Sequence, residues 1–337
     1  MQAVTIKTLA TTLNLSTATV SKALSNSYDI SEETKLRVRK LAEELHYVPD
    51  LYASSLRKRK SKTIAVVIPE VADSFFSQAI NGIESVAREK GYHVLIYLTH
   101  ESYEREKAIL NDFQSGRVDG VLISVTAETT GAEHIRELTD KDIPVVFFDR
   151  ICDEIDTAKI TTNDYEGGYI ATKHLFDCGC RNIALLSVSD SLSISNQRML
   201  GYMQALKDCS LIFAEDNIIH CTQNELNNYA LLKKIMMREN HPDGIIATVE
   251  KLTTTVYLAC RELGLQIPAQ VKIVSFSNLQ SAVLLYPPLT TVTQPAYEMG
   301  NAAAALLFKG LGKKKFDYKK ESLIIPSLLE IRSSTAG

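Results

Sequence analysis

The apolar positions of this chain change period partway along it. Near the N-terminus Ile6, Leu9, Ala10 and Leu13 recur at spacings of three and four, and after Asn14-Leu15 so do Val20, Ala23 and Leu24. That spacing predicts two short amphipathic helices joined by a tight turn. Neither is long enough to persist alone in water, so their apolar faces must pack on each other. Ser16 is placed to cap the second helix through its hydroxyl. With Val20 and Leu24 turned inward, Thr17, Ala18, Ser21 and Lys22 face out. Hydroxyls, a methyl and a cation without an acid suit a DNA major groove, although helical hairpins of this geometry also occur outside DNA binding. A third helix is predicted from Ser31, with Glu32 and Glu33 in its first turn and Leu36, Val38, Leu41, Ala42 and Leu45 as its apolar side.

From Thr63 the pattern is different. Ile64-Ala65-Val66-Val67-Ile68 is a continuous apolar run, as expected of a parallel strand buried on both faces. A helix-length amphipathic stretch over 75–90 follows, then strands near 93–98, 118–123 and 144–148 with helices at 104–113 and 134–140. A second series predicts helices at 165–176, 198–207, 229–238 and 255–263, and strands at 183–187, 244–248 and 271–276. Alternation of this length implies two doubly wound α/β lobes. Late segments at 289–292, 296–307 and 323–325 are expected to return to the first lobe. Ligands in such folds bind beyond the carboxyl ends of the strands, so two facing lobes make a cleft.

Between head and body, Pro49 stops any helix, and 51–60 can form only about two turns, too few to be stable alone. An apolar Leu56 beside the basic run Arg57-Lys58-Arg59-Lys60 suits insertion into a minor groove with phosphates alongside. Charge distribution supports this. The net charge is only −3, yet residues 1–60 hold ten Lys or Arg against six Asp or Glu, leaving the body at about −7. No signal-like h-region and no membrane-length apolar run is present, so a cytoplasmic location without membrane contact is expected. The six cysteines lack paired spacing and read as reduced thiols. No cofactor or metal motif and no catalytic constellation is found: no Gly-x-Gly-x-x-Gly follows the first strand, and no Gly-x-Ser-x-Gly elbow or His-Glu-x-x-His pair occurs.

Along its whole length the chain resembles the lactose/galactose repressor (LacI/GalR) family of bacterial transcription regulators. The head carries Val4-Thr5-Ile6-Lys7, Ala18-Thr19-Val20-Ser21-Lys22-Ala23-Leu24, Ser31-Glu32-Glu33-Thr34 and Tyr47-Val48-Pro49. Ala53-Ser54-Ser55-Leu56-Arg57 looks like the family's hinge helix. In the body, Val118-Asp119-Gly120, Pro144 to Arg150, Asn163-Asp164 with Gly167-Gly168, Arg198 with Gly201-Tyr202, and Pro287 to Val292 with Gln294-Pro295 fall in family order.

The resemblance implies a helix-turn-helix head over 1–48, a hinge over 49–61, and over 62–337 a two-lobed effector-binding and dimerisation body of the type I periplasmic-binding-protein kind. It assigns base reading to Thr17, Ala18 and Lys22, backbone positioning to Thr5, Ser16, Thr19 and Ser21, and the minor-groove wedge to Leu56 with Ala53 beside it, while Arg57 is expected on the phosphates. Lys22 and Ser25 stand where the family typically has Arg and Asn, so the operator is expected to depart from the usual centre. For the cleft it assigns Phe76, Asp149, Arg150, Arg198 and Ser277 to a small-molecule effector, a sugar or sugar derivative. Ser275-Phe276-Ser277-Asn278 replaces the usual Gly-Phe-Asp-Asp, removing a carboxylate, while Arg150 and Arg198 remain. An anionic or otherwise unusual ligand, such as a sugar acid or sugar phosphate, is therefore expected. The implied partners are double-stranded operator DNA and a second copy of the chain, as a homodimer rather than a tetramer, because no heptad follows Ile331-Arg332. A solute-binding protein of a transport system shares the two-lobed body but predicts an export signal and no basic head.

Overall fold

The computed structural model describes residues 4–47, 61–189, 191–313 and 316–336. The expected hinge, with Ala53, Leu56 and Arg57, lies outside the described residues except for Ser61. Two compact units result, Met1–Ser61 and Lys62–Gly337.

In the first unit, α1 (Ile6–Leu13), α2 (Thr17–Leu24) and α3 (Glu32–Glu44) each start at a hydroxyl cap. Thr5 accepts from the Thr8 N–H, Ser16 from Thr19 and Ser31 from Thr34. These bonds satisfy amides that helix geometry leaves free. Asn14 turns the chain between α1 and α2 in the left-handed conformation, φ 52°, which Asn tolerates better than most residues. Leu9, Val20, Ala23 and Val38 are fully buried where the three helices meet.

The second unit contains two sheets. In the first lobe, β1 (Thr63–Ile68), α4 (Ser74–Glu89), β2 (His93–Leu98), α5 (Tyr103–Phe113), β3 (Gly120–Ile123), α6 (Glu133–Thr139), β4 (Val145–Phe148) and β5 (Lys159–Thr161) follow in turn. The second lobe comprises α7 (Asp164–Asp177), β6 (Ile183–Ser187), α8 (Ser193–Asp208), β7 (Ile218–His220), α9 (Glu225–Met236), β8 (Gly244–Ala247), α10 (Lys251–Leu263), β9 (Lys272–Phe276) and β10 (Thr290–Thr293). The chain then returns to the first lobe for α11 (Ala296–Gly310) and β11 (Leu323–Ile324), and ends in the second with β12 (Leu328–Glu330). The strand orders are β2-β1-β3-β4-β5-β11 and β7-β6-β8-β9-β10-β12. Among the described residues only β12, on β10, is antiparallel. Each order reverses beside the lobe's first strand, which opens a crevice at that strand's carboxyl end. Ile64, Val66 and Ile68 are fully buried, as the apolar run predicted.

Two helix pairs bring backbone against backbone. A Cβ on Gly82 of α4 would lie 2.1 Å from the Tyr297 carbonyl oxygen, and one on Gly300 of α11 2.0 Å from that of Ala79. In the second lobe a Cβ on Gly168 of α7 would lie 2.1 Å from the Arg198 oxygen, and one on Gly201 of α8 1.9 Å from that of Tyr165. Any side chain there would force the helices apart, and the second crossing sets where Arg198 begins.

Several expectations need correction. The strand at 290–293 belongs to the second lobe, hydrogen-bonded to β9, and only α11 and β11 return to the first. The helix carrying Arg198 starts at Ser193, because Ser195 and Asn196 continue the helix although they break its apolar period. The strands β5, β7 and β12, three residues each, were not anticipated. All six cysteines are free thiols, and burial pushes Cys221 and Cys260 up to about 11. Among the described residues no helix is long and apolar enough to cross a membrane.

Candidate functional site

On the head, Ala18 and Lys22 are exposed along α2, with Thr17, Thr19 and Ser21 half-buried beside them. Thr5 and Ser16 are already engaged as helix caps, which fixes where their hydroxyls lie. Lys22 is not a free cation. Its Nζ lies 2.7 Å from Asp29 Oδ2, across the loop after α2, and this hydrogen bond holds the Asp29 carboxyl below its ordinary value. Asp29 escaped the sequence argument because its partner is seven residues away, and only the conformation of the loop joins them. On the same side Arg39 Nη2 donates to Asn26 Oδ1 at 2.9 Å.

In the body, the carboxyl ends of the strands converge between the lobes on a cavity of about 30 Å³. Asp73 and Phe76 enter from the start of α4, Asp149 and Arg150 from the end of β4, Arg198 from α8, Glu250 from the end of β8, and Ser277 and Asn278 from the end of β9. Gln294 arrives from the segment that crosses between lobes. Asp73 caps α4, accepting from the Phe75 N–H at 2.9 Å. Asp149 sits at φ 61°, a conformation open to few residues besides Gly, Asn and Asp. Phe76 is 3% exposed, packed edge-on against Phe75 and Phe148, with the Arg150 guanidinium 5.8 Å from its ring centre. It is at once core and cavity wall.

The two arginines are both spoken for. Arg198 is 2% exposed; its Nε donates to Asp164 Oδ1 at 2.7 Å, its Nη1 to the Thr248 carbonyl, and its guanidinium stacks 4.1 Å from the Phe276 ring centre. Gly167 makes that stack possible, since a Cβ there would meet the Phe276 ring at 2.9 Å. Arg150 Nη1 donates to both oxygens of Glu101 at 2.9 Å. Each arginine thus already faces a carboxylate, half-buried Glu101 for Arg150 and buried Asp164 for Arg198, which supplies the opposite charge that an anion would otherwise bring.

Nor is the cleft short of acids. Ser277, expected to meet the effector, gives its hydroxyl to Glu250 Oε2 at 2.8 Å, and Glu250 also accepts from the Asn278 N–H at 2.9 Å and, across the cleft, the Ser74 N–H at 3.0 Å. Glu250 and Asp73 were not singled out in the sequence. Replacing the family's Asp by Ser277 provides a donor for a carboxylate arriving from β8. Burial, then the neighbouring Glu250, pushes Asp73 up to about 6. Burial does the same to Asp149, also to about 6, with Asp164 adding to it against Arg150 and Arg198.

Further hydrogen bonds join the lobes. Gln78 Nε2 donates to the Asn278 carbonyl at 3.0 Å, Gln294 Nε2 to Asp149 Oδ1 at 3.3 Å, and Ser191 Oγ to the Ala127 carbonyl at 2.8 Å. A larger groove of about 730 Å³ runs outside α10, walled by Tyr257, Leu258, Leu265, Ile267, Leu279 and Tyr286. It shares Asp73 and Glu250 with the cleft but has none of the cleft's other buried charges.

Residues 5–50 match the profile of bacterial regulatory proteins of the lacI family, and residues 61–333 that of periplasmic binding proteins and the sugar-binding domain of the LacI family. The chain is 30% identical to the HTH-type transcriptional repressor PurR of Vibrio vulnificus (strain CMCP6) over 93% of each sequence. It is 30% identical to the ribose operon repressor of Halalkalibacterium halodurans, over 99% of this chain and 97% of that one. The crystal structure of the lac repressor dimer bound to operator and the anti-inducer ONPF covers 100% of both chains at a TM-score of 0.84 and 21% identity, a likeness of fold. A capped three-helix head, two doubly wound lobes and matches spanning both units place the chain in the LacI family of bacterial regulatory proteins.

Proposed function

We propose that the chain is a transcriptional repressor whose affinity for operator DNA is set by a small molecule held between the lobes, a sugar or sugar derivative. The observation that carries this is the pairing, in one chain, of an α2 face made of exposed Ala18 and Lys22 with half-buried Thr17 and Ser21, and a cleft rich in buried polar groups. Residues 1–48 read the major groove, 49–61 serve as a hinge with Leu56 and Ala53 in the minor groove and Arg57 on the phosphates, and 62–337 receive the effector. The chain acts in the cytoplasm and catalyses no reaction. The lac repressor structure, with operator and anti-inducer both bound, supports the pairing of functions, and the ribose operon repressor supports a sugar.

A cavity of about 30 Å³ holds about one water, so an effector enters only as the lobes part and the Gln78–Asn278 and Gln294–Asp149 bonds break. Its differential affinity for the open and closed arrangements then biases the DNA-binding state. A homodimer fits the body, which exposes Leu226, Leu284 and Tyr286 at 78%, 81% and 97%. Sedimentation should show a dimer that dissociates in the double variant Leu284→Asp, Tyr286→Asp.

The test is selection of duplexes from a random pool by the full chain, then titration of the selected duplex with and without a panel of sugars. A near-palindromic sequence is expected, with an affinity that one sugar changes at least tenfold. Recovery of no preferred duplex overturns the reading.

A further inference from the structure

The cleft is built of two arginines and five carboxylates: Asp73, Asp149 and Glu250 at the cavity, with Glu101 and Asp164 directly behind Arg150 and Arg198. Two of the acids cancel the two guanidiniums. Glu250 is met by three neutral donors. That leaves Asp73 with one backbone N–H and Asp149 with one amide at 3.3 Å, the nearest cation being Arg150 Nε at 3.9 Å from Asp149 Oδ2, beyond hydrogen-bond reach. Neither lysine nor histidine lines the cavity. Negative charge is therefore in excess at the cavity.

A second, independent feature points the other way. Arg198 Nη2 is buried and makes no hydrogen bond among the described residues, although Arg198 lines the cavity. It needs an acceptor. Because Asp164 already matches its charge, a neutral oxygen suffices, and a carboxylate or phosphate would put more negative charge beside Asp149 and Asp164.

Resting on the effector reading above, we propose that the cleft takes a small polyhydroxylated molecule bearing a protonated amine, an amino sugar or amino polyol. The ammonium faces Asp73 and Asp149, and a hydroxyl oxygen accepts from Arg198 Nη2. An ammonium supplies three donors together with the missing charge, which a neutral hydroxyl group does not.

The experiment is calorimetry on the full chain at pH 7.5 with glucosamine, galactosamine and mannosamine, their N-acetyl forms, the parent hexoses and the hexose 6-phosphates. One amine should bind at least tenfold more tightly than its parent hexose and its N-acetyl form. That affinity should fall at least tenfold in Asp149→Asn and in Asp73→Asn. Asn serves equally well as a helix cap at 73 and tolerates the left-handed backbone at 149, and retained binding to the selected duplex shows that each variant is folded. Equal or tighter binding by a hexose, an N-acetyl form or a phosphate overturns the proposal, as does an amine indifferent to Asp149→Asn, or no amine binding at all. A hexose that shifts operator affinity where the amines do not sinks this inference and leaves the repressor reading standing. Absence of any preferred duplex sinks the repressor reading instead.

Discussion

Charged groups on the face of α2 and charged groups in the cleft obey different rules. Lys22 and Asp29 lie in water, where their attraction is screened and either can turn to another partner at little cost. Arg198 and Asp164 are 2% and 6% exposed at the side chain, and neither can be left alone there. An exposed cation is thus available for a ligand almost wherever it occurs. A buried one is available only in the hydrogen-bonding capacity that its own partner leaves over, and for Arg198 that is Nη2.

The largest effect that separates these cases is expected in Arg198→Ala. If the guanidinium is structural as well as ligand-facing, its loss strands Asp164, whose carboxyl burial already holds above its ordinary value despite Arg198. Removing one member of such a pair costs about 3–5 kcal/mol, whereas an arginine held in reserve for an anion would cost almost nothing in the free protein. Urea unfolding measures the difference. The double variant Arg198→Ala, Asp164→Ala should recover part of the loss. A single variant as stable as the parent chain would return Arg198 to the anion-binding role first expected of it.

This contrast also explains what could be read from the sequence. Local periodicity exposed the head helices, the buried run of β1 and most of the alternation, because each depends on residues within one turn or one strand. It failed for β5, β7 and β12, where three residues show no period, and for β10, whose lobe is decided by register with β9. The cleft was half legible. Asp149, Arg150 and Arg198 do line it, as does Phe76, but Arg198 finds Asp164 34 positions away and Arg150 finds Glu101 49 away. No spacing rule links them. The buried His134–Glu106 pair, 2.8 Å apart and 28 positions distant, was missed for the same reason.

The next effect in size concerns Asp149, whose carboxyl stands at about 6 when folded and near the ordinary 3.8 when unfolded. The raised value means that the native state holds the proton more tightly. Its favourable contribution is complete below pH 3.8 and is lost as pH rises through 6. Asp149→Asn removes that loss, so it should stabilise the ligand-free body at pH 7.5, by no more than about 3 kcal/mol, and leave it unchanged near pH 3.5. Arg150, Arg198 and Asp164 face the same carboxyl and set the size of the effect. Chemical unfolding at the two pH values decides it; equal destabilisation at both would show that Asp149 is held by its charge and not in spite of it. A stabilising substitution in a buried site is the mark of a residue kept for binding.

The smallest effects belong to the head, and there stability should not move at all. Lys22→Ala should relax preference at one base position, by roughly tenfold, with little change at the others. Asp29→Asn acts on the same ammonium from the other side. It removes a negative charge 2.7 Å from Lys22 Nζ and with it the repulsion of nearby phosphates, so affinity should rise on every duplex alike and the dependence on salt should steepen by about one phosphate contact. Titrations of selected and random duplexes at several salt concentrations separate the two variants. If Asp29→Asn instead changed which base is preferred and left the salt dependence alone, the carboxylate would be reading a base itself, and the exposed pair would behave as the buried ones do, as a fixed unit.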